Sequence, residues 1–231
     1  MRHLWTALIC TVAAGTLLAR QPTQQELDKQ FLSAWDQQTR QDLHVPAAGT
    51  KLVVVKFNDW MCPGCKFAHQ AFKPILAKYR AMPGVLKYVE RDWPWNKDCN
   101  SATQQTFLGH EASCDAAAAV RLAADRGKRD EMVEWLFANQ PGEDAALRAS
   151  MPGRVRARAM EMLALKDFSA GYAAKLPEVR KDVAEGVAVN IRSTPTYFVN
   201  GIRAVNADQS TIPAHYFELA LQHEYQRNGG K

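Results

Sequence analysis

The chain is poor in cysteine and lacks the local signatures of hydrolytic and nucleotide chemistry. It has 5 cysteines among 231 residues, and only one Cys-x-x-Cys, at Cys62–Cys65. A zinc site built from two such pairs is therefore not encoded. There is no Gly-rich phosphate loop, Ser-His-Asp signature or paired-carboxylate signature. The formal net charge of +5 comes from basic residues scattered among acidic ones. Without a basic block, the sequence does not indicate nucleic-acid binding.

Long apolar runs are absent outside the N-terminus. Arg2 and His3 precede an apolar stretch over residues 4–19, which is short for a bilayer span and suits the core of a signal peptide. We interpret residues 1–19 as a signal peptide or an uncleaved membrane anchor, and the protein as periplasmic or secreted. Cys10 lies in this segment, which leaves four cysteines, an even number, for an oxidising compartment.

The tetrapeptide Cys62-Pro63-Gly64-Cys65 follows a run of β-branched residues and precedes a helical pattern. A Cys-x-x-Cys at a strand-to-helix junction is typical of thiol–disulfide exchange. At the helix edge, unpaired N–H groups and the helix dipole favour the Cys62 thiolate. Pro63 fits the first helical position because it has no N–H to satisfy, and Gly64 leaves room for a partner chain. Cys65 lies three residues on, within reach of a disulfide.

The sequence leaves open two other interpretations of the cysteines, a metal site and a structural disulfide. A metal site would need Cys99, His110 and Cys114 as ligands, although their spacing does not form a second pair. A purely structural Cys62–Cys65 disulfide would close so small a loop that it would stabilise the fold little. Reactivity is therefore the better explanation of the motif.

Periodicity predicts a β-α-β unit near the motif. The capping box Thr23-x-x-Glu26 starts a helix over about 24–40. A strand over 51–57, a helix over 63–80 and a strand over 85–91 follow. A right-handed crossover of this kind makes the two strands parallel.

The rest of the chain is predicted as a helical insertion followed by β-β-α. The insertion helices are predicted over 116–124, 131–138, 145–149, 155–165 and 177–189. A strand over 196–199, an Asn200-Gly201 turn and a strand over 202–205 form a hairpin, and a closing helix opens at Pro213.

This order, together with Cys62-Pro63-Gly64-Cys65 and the segment Ser193-Thr194-Pro195-Thr196, resembles the DsbA-like branch of the thioredoxin superfamily over about residues 45–228. The resemblance implies an α/β thioredoxin-like fold and a cis peptide bond before Pro195, beside the dithiol. It further implies that Cys62 forms mixed disulfides, that Cys65 resolves them, and that Thr194 and Pro195 present substrate as an added strand. No bound cofactor is implied, because the redox group is the cysteine pair itself.

Within that branch, the chain is similar to thioredoxin domains associated with vitamin K epoxide reductase-like membrane oxidases. Those domains often carry a second cysteine pair in the insertion, as Cys99 and Cys114 do here. The resemblance implies that this pair is a structural disulfide. It also implies exported cysteine-containing proteins as substrates and a quinone-linked membrane oxidase as the redox partner.

Lys56 departs from the family pattern, which places a buried acid six residues before the first active-site cysteine. A buried lysine tends to lose its charge, so neutral Lys56 would accept the proton of the second cysteine. Alternatively, Lys56 extends to solvent and has no chemical role. Asp59 and Lys66 flank the motif and are further candidates for tuning Cys62. His69, one turn beyond Cys65, is either a proton shuttle or an ordinary surface histidine.

The predicted organisation is a signal peptide or anchor over 1–19, a helix and linker over 20–45, and a thioredoxin-like domain over 46–231 with its insertion at about 97–190. We interpret the protein as an extracytoplasmic disulfide oxidase. A reductase or isomerase is the first alternative, because Gly64 replaces the histidine of the DsbA motif. A non-catalytic peptide-binding or chaperone module is the second.

Overall fold

Seven helices and four strands make up the part of the chain that the computed structural model describes, residues 20–206, 208 and 210–230. The predicted signal peptide lies outside these residues. In chain order the elements are α1 (Gln24–Asp36), β1 (Leu52–Asn58), α2 (Pro63–Arg80), β2 (Leu86–Asp92), α3 (Ser113–Ala124), α4 (Arg129–Ala138), α5 (Ala145–Leu163), α6 (Phe168–Ala188), β3 (Thr196–Val199), β4 (Ile202–Ala204) and α7 (Ala214–Arg227). The predicted α/β order is confirmed.

The four strands form one sheet in the order β2-β1-β3-β4. β1 runs parallel to β2, as the crossover predicts, and antiparallel to β3. Because β1 is central, its side chains are buried on both faces. Val54 and Leu52 face a core shared with α1, α2 and α7, whereas Val55 and Phe57 face α6.

The helices on the first face pack through aromatic side chains. Phe72 of α2 and Phe217 of α7 stack with ring centroids 4.1 Å apart. Trp35 of α1 is buried and donates its indole N–H to Glu224 of α7 at 3.1 Å. The predicted capping box at Thr23 is present, although α1 ends at Asp36, earlier than predicted.

The helical insertion has a core of its own, and two predictions about it are wrong. The predicted helices over 145–149 and 155–165 are one helix, α5, with Pro152 inside it. Met151 and Val155 on either side of the proline are both buried, so packing favours a continuous helix. α6 begins at Phe168, well before Pro177, because the Asp167 side chain accepts bonds from the Ser169 and Ala170 amides.

In the described part of the chain, none of the helices combines the length and apolar character needed to cross a bilayer.

Candidate active site

The cysteine pair lies where β1 gives way to α2, at the edge of the insertion core. Cys62 is the N-cap of α2 with extended backbone angles, and Pro63 occupies the first turn. The Cys62 carbonyl accepts hydrogen bonds from the amides of Cys65 at 3.1 Å and Lys66 at 3.2 Å. The start of α2 therefore places the positive end of the helix dipole at Cys62.

The two thiols differ sharply in acidity. The pKa of Cys62 is lowered to about 6, mainly by its hydrogen bond with the Cys65 thiol and also by the Thr194 side chain, against the effects of burial and of the Asp59 carboxylate. Burial raises the pKa of Cys65 well above that of an ordinary thiol. Cys62 has 9% of its surface accessible, whereas Cys65 is fully buried. Cys62 is therefore the thiolate that a partner can reach.

The segment before β3 closes over the dithiol. The Thr194–Pro195 peptide bond is cis, as the family resemblance implies. The Cys62 thiol lies 3.4 Å from the Thr194 carbonyl oxygen, and the Thr194 hydroxyl accepts a hydrogen bond from the Trp95 indole at 2.8 Å. A β-carbon at Gly64 would contact both Pro195 and Thr194 at 3.6 Å and Cys62 Sγ at 3.7 Å. Gly64 thus lies in the narrow space between the motif and the cis-proline segment.

The structure contradicts one of the two interpretations of Lys56. Its side chain is fully buried, so it does not extend to solvent, and its Nζ lies 3.4 Å from Glu90 Oε1. Burial acts to lower the pKa of Lys56, but Tyr197, Glu90 and Cys65 together outweigh it and raise the pKa. The raised pKa and the ion pair with Glu90 favour the ammonium form of Lys56 over a neutral base. Its charge acts to lower the pKa of Cys65, although burial dominates there.

Glu90 is a residue of this site that sequence reasoning missed. It pairs with Lys56 across the β1–β2 ladder and also forms an ion pair with Arg129 of α4. Burial acts to raise the pKa of Glu90, but Lys56 and Arg129 lower it overall. A buried acid therefore lies beside Lys56 on the strand next to β1, a position that only the strand register reveals.

Asp59 organises a second cluster beside the motif; the sequence indicated Asp59 as a candidate but not its partners. Its fully buried carboxylate accepts hydrogen bonds from the backbone amides of Met61 at 2.8 Å and Trp95 at 2.7 Å. The Ser113 hydroxyl donates to it at 2.8 Å, and His110 Nδ1 lies 2.8 Å from it. His110 and Ser113 come from the insertion, about fifty residues along the chain, so no local pattern links them to Asp59.

A cavity of about 680 Å³ opens beside Cys62. Its walls come from the β2–α3 connection, the end of α6 and the segment before Pro195, with the lining residues Cys62, Trp93, Trp95, Ala102, Phe107, His110, Val187, Asn190, Ile191, Arg192, Ser193 and Thr194. A wall that includes Trp93, Trp95 and Phe107 beside a reactive thiol can accept an extended peptide with apolar side chains.

Cys99 and Cys114 are joined in a disulfide with an S–S distance of 2.13 Å and a Cα–Cα distance of 5.9 Å. Both residues are buried. Because they are bonded to each other, they are not available as thiolate ligands, so the metal reading with His110 is excluded. Among the described residues, one potential ligand cluster remains, Asp36 with His223 and Glu224, and Glu224 is already paired with Arg40.

We expect removal of this disulfide by the double change Cys99→Ala and Cys114→Ala to lower the free energy of unfolding. The bridge spans 15 residues, and closing a loop of that size stabilises by about 3 kcal/mol in the chain-entropy model. Urea unfolding of the wild type and the variant, both with Cys62–Cys65 oxidised, gives the difference. Alkylation of Cys99 and Cys114 before Cys62 in mildly reduced protein would contradict a structural role.

His69 pairs with Glu134 of α4 at 3.3 Å and packs on Phe137, with ring centroids 5.0 Å apart. Through these contacts the His69 side chain packs against α4 of the helical insertion.

Comparisons with known proteins agree with this fold. A family model described as Thioredoxin matches residues 38–213. Oxidised BdbD from Bacillus subtilis superposes with a TM-score of 0.53 at 22% identity, covering 76% of this chain and 88% of that one. α-DsbA1 from Wolbachia pipientis superposes with a TM-score of 0.56 at 14% identity, covering 77% and 87%.

A curated relative at 31% identity over 153 residues is the Na(+)/H(+) antiporter NhaA 1 of Mycobacterium sp. (strain KMS). The match covers 66% of this chain but only 22% of that protein, so the chain spans about a fifth of the length of the curated relatives it matches. The family match shows that the chain belongs to the thioredoxin family, and the superpositions show that it has the fold of DsbA-like proteins.

Proposed function

We propose that the protein acts outside the cytoplasm and donates a Cys62–Cys65 disulfide to exported proteins that contain free cysteines. The observation that carries this proposal is the opposed acidity of the two thiols, with the pKa of Cys62 lowered to about 6 and that of Cys65 raised. A stabilised thiolate favours the reduced form of the pair, and this makes the disulfide a better oxidant.

The exchange takes two steps. A substrate thiolate attacks Cys62 Sγ, the Cys62–Cys65 bond breaks, and Cys65 leaves with the electron pair and takes up a proton. A second substrate thiolate then attacks the substrate sulfur of the mixed disulfide, and Cys62 leaves as a thiolate. The substrate loses two electrons and two protons. The enzyme gains the electrons and keeps one proton on Cys65, while the other proton goes to solvent.

The site supports each step without a bound cofactor. Cys62 is the accessible sulfur, and it is a good leaving group because its thiolate is stabilised. Cys65 is shielded from other partners, so it leaves and takes up its proton within the fold; in the reverse direction it attacks the mixed disulfide of its own chain. The backbone beside Pro195 and the adjoining cavity offer an extended peptide a place to bind next to Cys62.

Two observations favour an extracytoplasmic location. The Cys99–Cys114 disulfide suits an oxidising compartment, and the sequence predicts an export segment over 1–19. Returning the pair to the disulfide requires an electron acceptor. A quinone-linked membrane oxidase of the vitamin K epoxide reductase type is the partner we propose.

The direction of electron flow is tested by equilibrating the protein with glutathione buffers and determining the Cys62–Cys65 state by alkylation and mass spectrometry. We expect a potential clearly more oxidising than that of thioredoxin, about −270 mV. A potential as reducing as that of thioredoxin would exclude the oxidase assignment and favour a reductase, in line with glycine at position 64 instead of histidine.

A further inference from the structure

His110 lies beside the active site although it belongs to the connection between β2 and α3. Its ring lines the same cavity as Cys62, and its Nδ1 is 2.8 Å from Asp59 Oδ2. Because Nδ1 is held by Asp59, the opposite edge of the ring, with Nε2, is the part that can face the cavity. The side chain is 13% exposed, so the imidazole is largely withdrawn from water.

The buried negative charge of Asp59 opposes formation of the Cys62 thiolate unless a positive charge lies nearby. Its carboxylate is fully buried and acts to raise the pKa of Cys62, against the other groups that lower it. The other donors to Asp59, two backbone amides and the Ser113 hydroxyl, are neutral. Among the described hydrogen-bond partners of this carboxylate, His110 is the one that can carry a positive charge.

The environment of His110 favours the charged ring. Burial acts to lower its pKa, but the hydrogen bond and charge of Asp59, the Cys62 thiolate and Glu111 outweigh it, and the pKa is raised. Such coupling is reciprocal: a thiolate that stabilises the imidazolium is stabilised by it to the same extent.

Other charged side chains near His110 come from three more elements. Lys66 of α2 and Arg148 of α5 line an adjoining cavity with His110, Arg192 lines the cavity of Cys62, and Glu111 is the next residue in the chain. Besides the Cys62 thiol itself, histidine is the side-chain type in this set that changes charge between pH 5 and 8.

We propose that His110, held in place by Asp59, is a positioning residue that controls how readily the Cys62 thiol ionises. It supplies from the insertion a charge that the motif itself lacks, since position 64 is glycine. The Cys99–Cys114 disulfide brackets the segment that carries His110, so it holds the charged ring at the dithiol. This inference rests on the proposed function in taking Cys62 as the reactive thiol.

The test measures the rate of Cys62 alkylation by iodoacetamide against pH in the reduced full chain, with the Cys99–Cys114 disulfide intact. In His110→Gln the buried Asp59 charge is no longer balanced. We therefore expect the rate at pH 6 to fall about threefold to tenfold, with the profile displaced to higher pH. Adding Asp59→Asn to His110→Gln removes the opposing charge and is expected to recover much of the rate.

His69→Gln is the matched control, because His69 also lies near the motif but pairs with Glu134. It is expected to leave the Cys62 profile unchanged. An effect of His110→Gln no larger than that of His69→Gln would overturn the proposal, as would a double variant that recovers none of the lost rate.

A second measurement needs no substitution. The imidazole of His110, followed by NMR in the wild type, is expected to titrate at higher pH in the reduced protein, which has the Cys62 thiolate, than in the oxidised protein. Identical titration in both redox states would overturn the proposal even if His110→Gln fails to fold. A wild type inert towards dithiol substrates would refute the proposed function, whereas the coupling between His110 and Cys62 would still be measurable.

Discussion

Cys62→Ser is expected to abolish disulfide exchange, whereas Cys65→Ser is expected to accumulate mixed disulfides. A serine hydroxyl cannot form the first bond with substrate, so the activity of Cys62→Ser should fall to the uncatalysed background. Cys65→Ser keeps the Cys62 sulfur, with a serine hydroxyl in place of the thiol that hydrogen-bonds to it, but loses the buried thiol that releases the partner. Incubation of the reduced variants with a disulfide-containing model peptide, followed by non-reducing gels and mass spectrometry, checks both outcomes.

The same experiment includes a test of pH dependence. The pKa of Cys62 is lowered to about 6, so its thiolate fraction rises as pH increases through that value. Cys62 should therefore react well below the pKa of an unperturbed thiol, about 8.5. Circular dichroism of both serine variants controls for misfolding. Trapping of partners by Cys62→Ser but not by Cys65→Ser would reverse the assignment of the two roles.

Glu90→Gln is expected to destabilise the protein by about 3–5 kcal/mol, because it leaves Lys56 buried without its counter-ion. Lys56 is fully buried, whereas the Arg129 side chain is 36% exposed and can regain water. Denaturant unfolding of the oxidised protein gives the loss. The double change Lys56→Met and Glu90→Leu should recover most of it, since an apolar pair of similar volume needs no compensation.

Glu134→Gln is the control for that measurement. Glu134 pairs with Lys73 and His69 at the surface, and an exposed pair is worth at most about 1 kcal/mol. The pKa of Glu90 is lowered in the fold, so the stability from this pair is present above the unfolded pKa and is lost as pH falls through the folded one. Equal losses for Glu90→Gln and Glu134→Gln would refute a central role for the buried pair.

The parts of this protein that were predictable are those encoded locally. The strand-to-helix position of Cys62 and Cys65, the capping box at Thr23 and the Asn200-Gly201 hairpin turn each occupy a few adjacent residues. The backbone preferences of these residues act within that span, so the local sequence is sufficient to predict each feature.

The parts that were missed depend on contacts between distant residues. Glu90 reaches Lys56 only through the β1–β2 register, and His110 reaches Asp59 only after the β2–α3 connection folds back. The predicted break in α5 and the predicted start of α6 at Pro177 are wrong, although proline disfavours a helix interior. Burial of Met151 and Val155 keeps α5 continuous through Pro152, and the cap at Asp167 starts α6 earlier. A single lysine in a strand gave no means of distinguishing a buried ion pair from a solvated side chain.

The sheet order has a consequence for how the chain assembles. β1 is hydrogen-bonded to β3, and Val54 lies opposite Val199, roughly 140 residues further along the chain. Contacts within a helix join residues that are near in sequence, so the helices of the insertion can form before β1 pairs with β3. Until β3 docks, Cys62 lacks its contact with Thr194, and the four cysteines of the described residues are free to react with one another. Cys99 and Cys114 are separated by 15 positions in sequence, so their pairing does not depend on β3 and would remove two competitors before the reactive pair reaches its final environment.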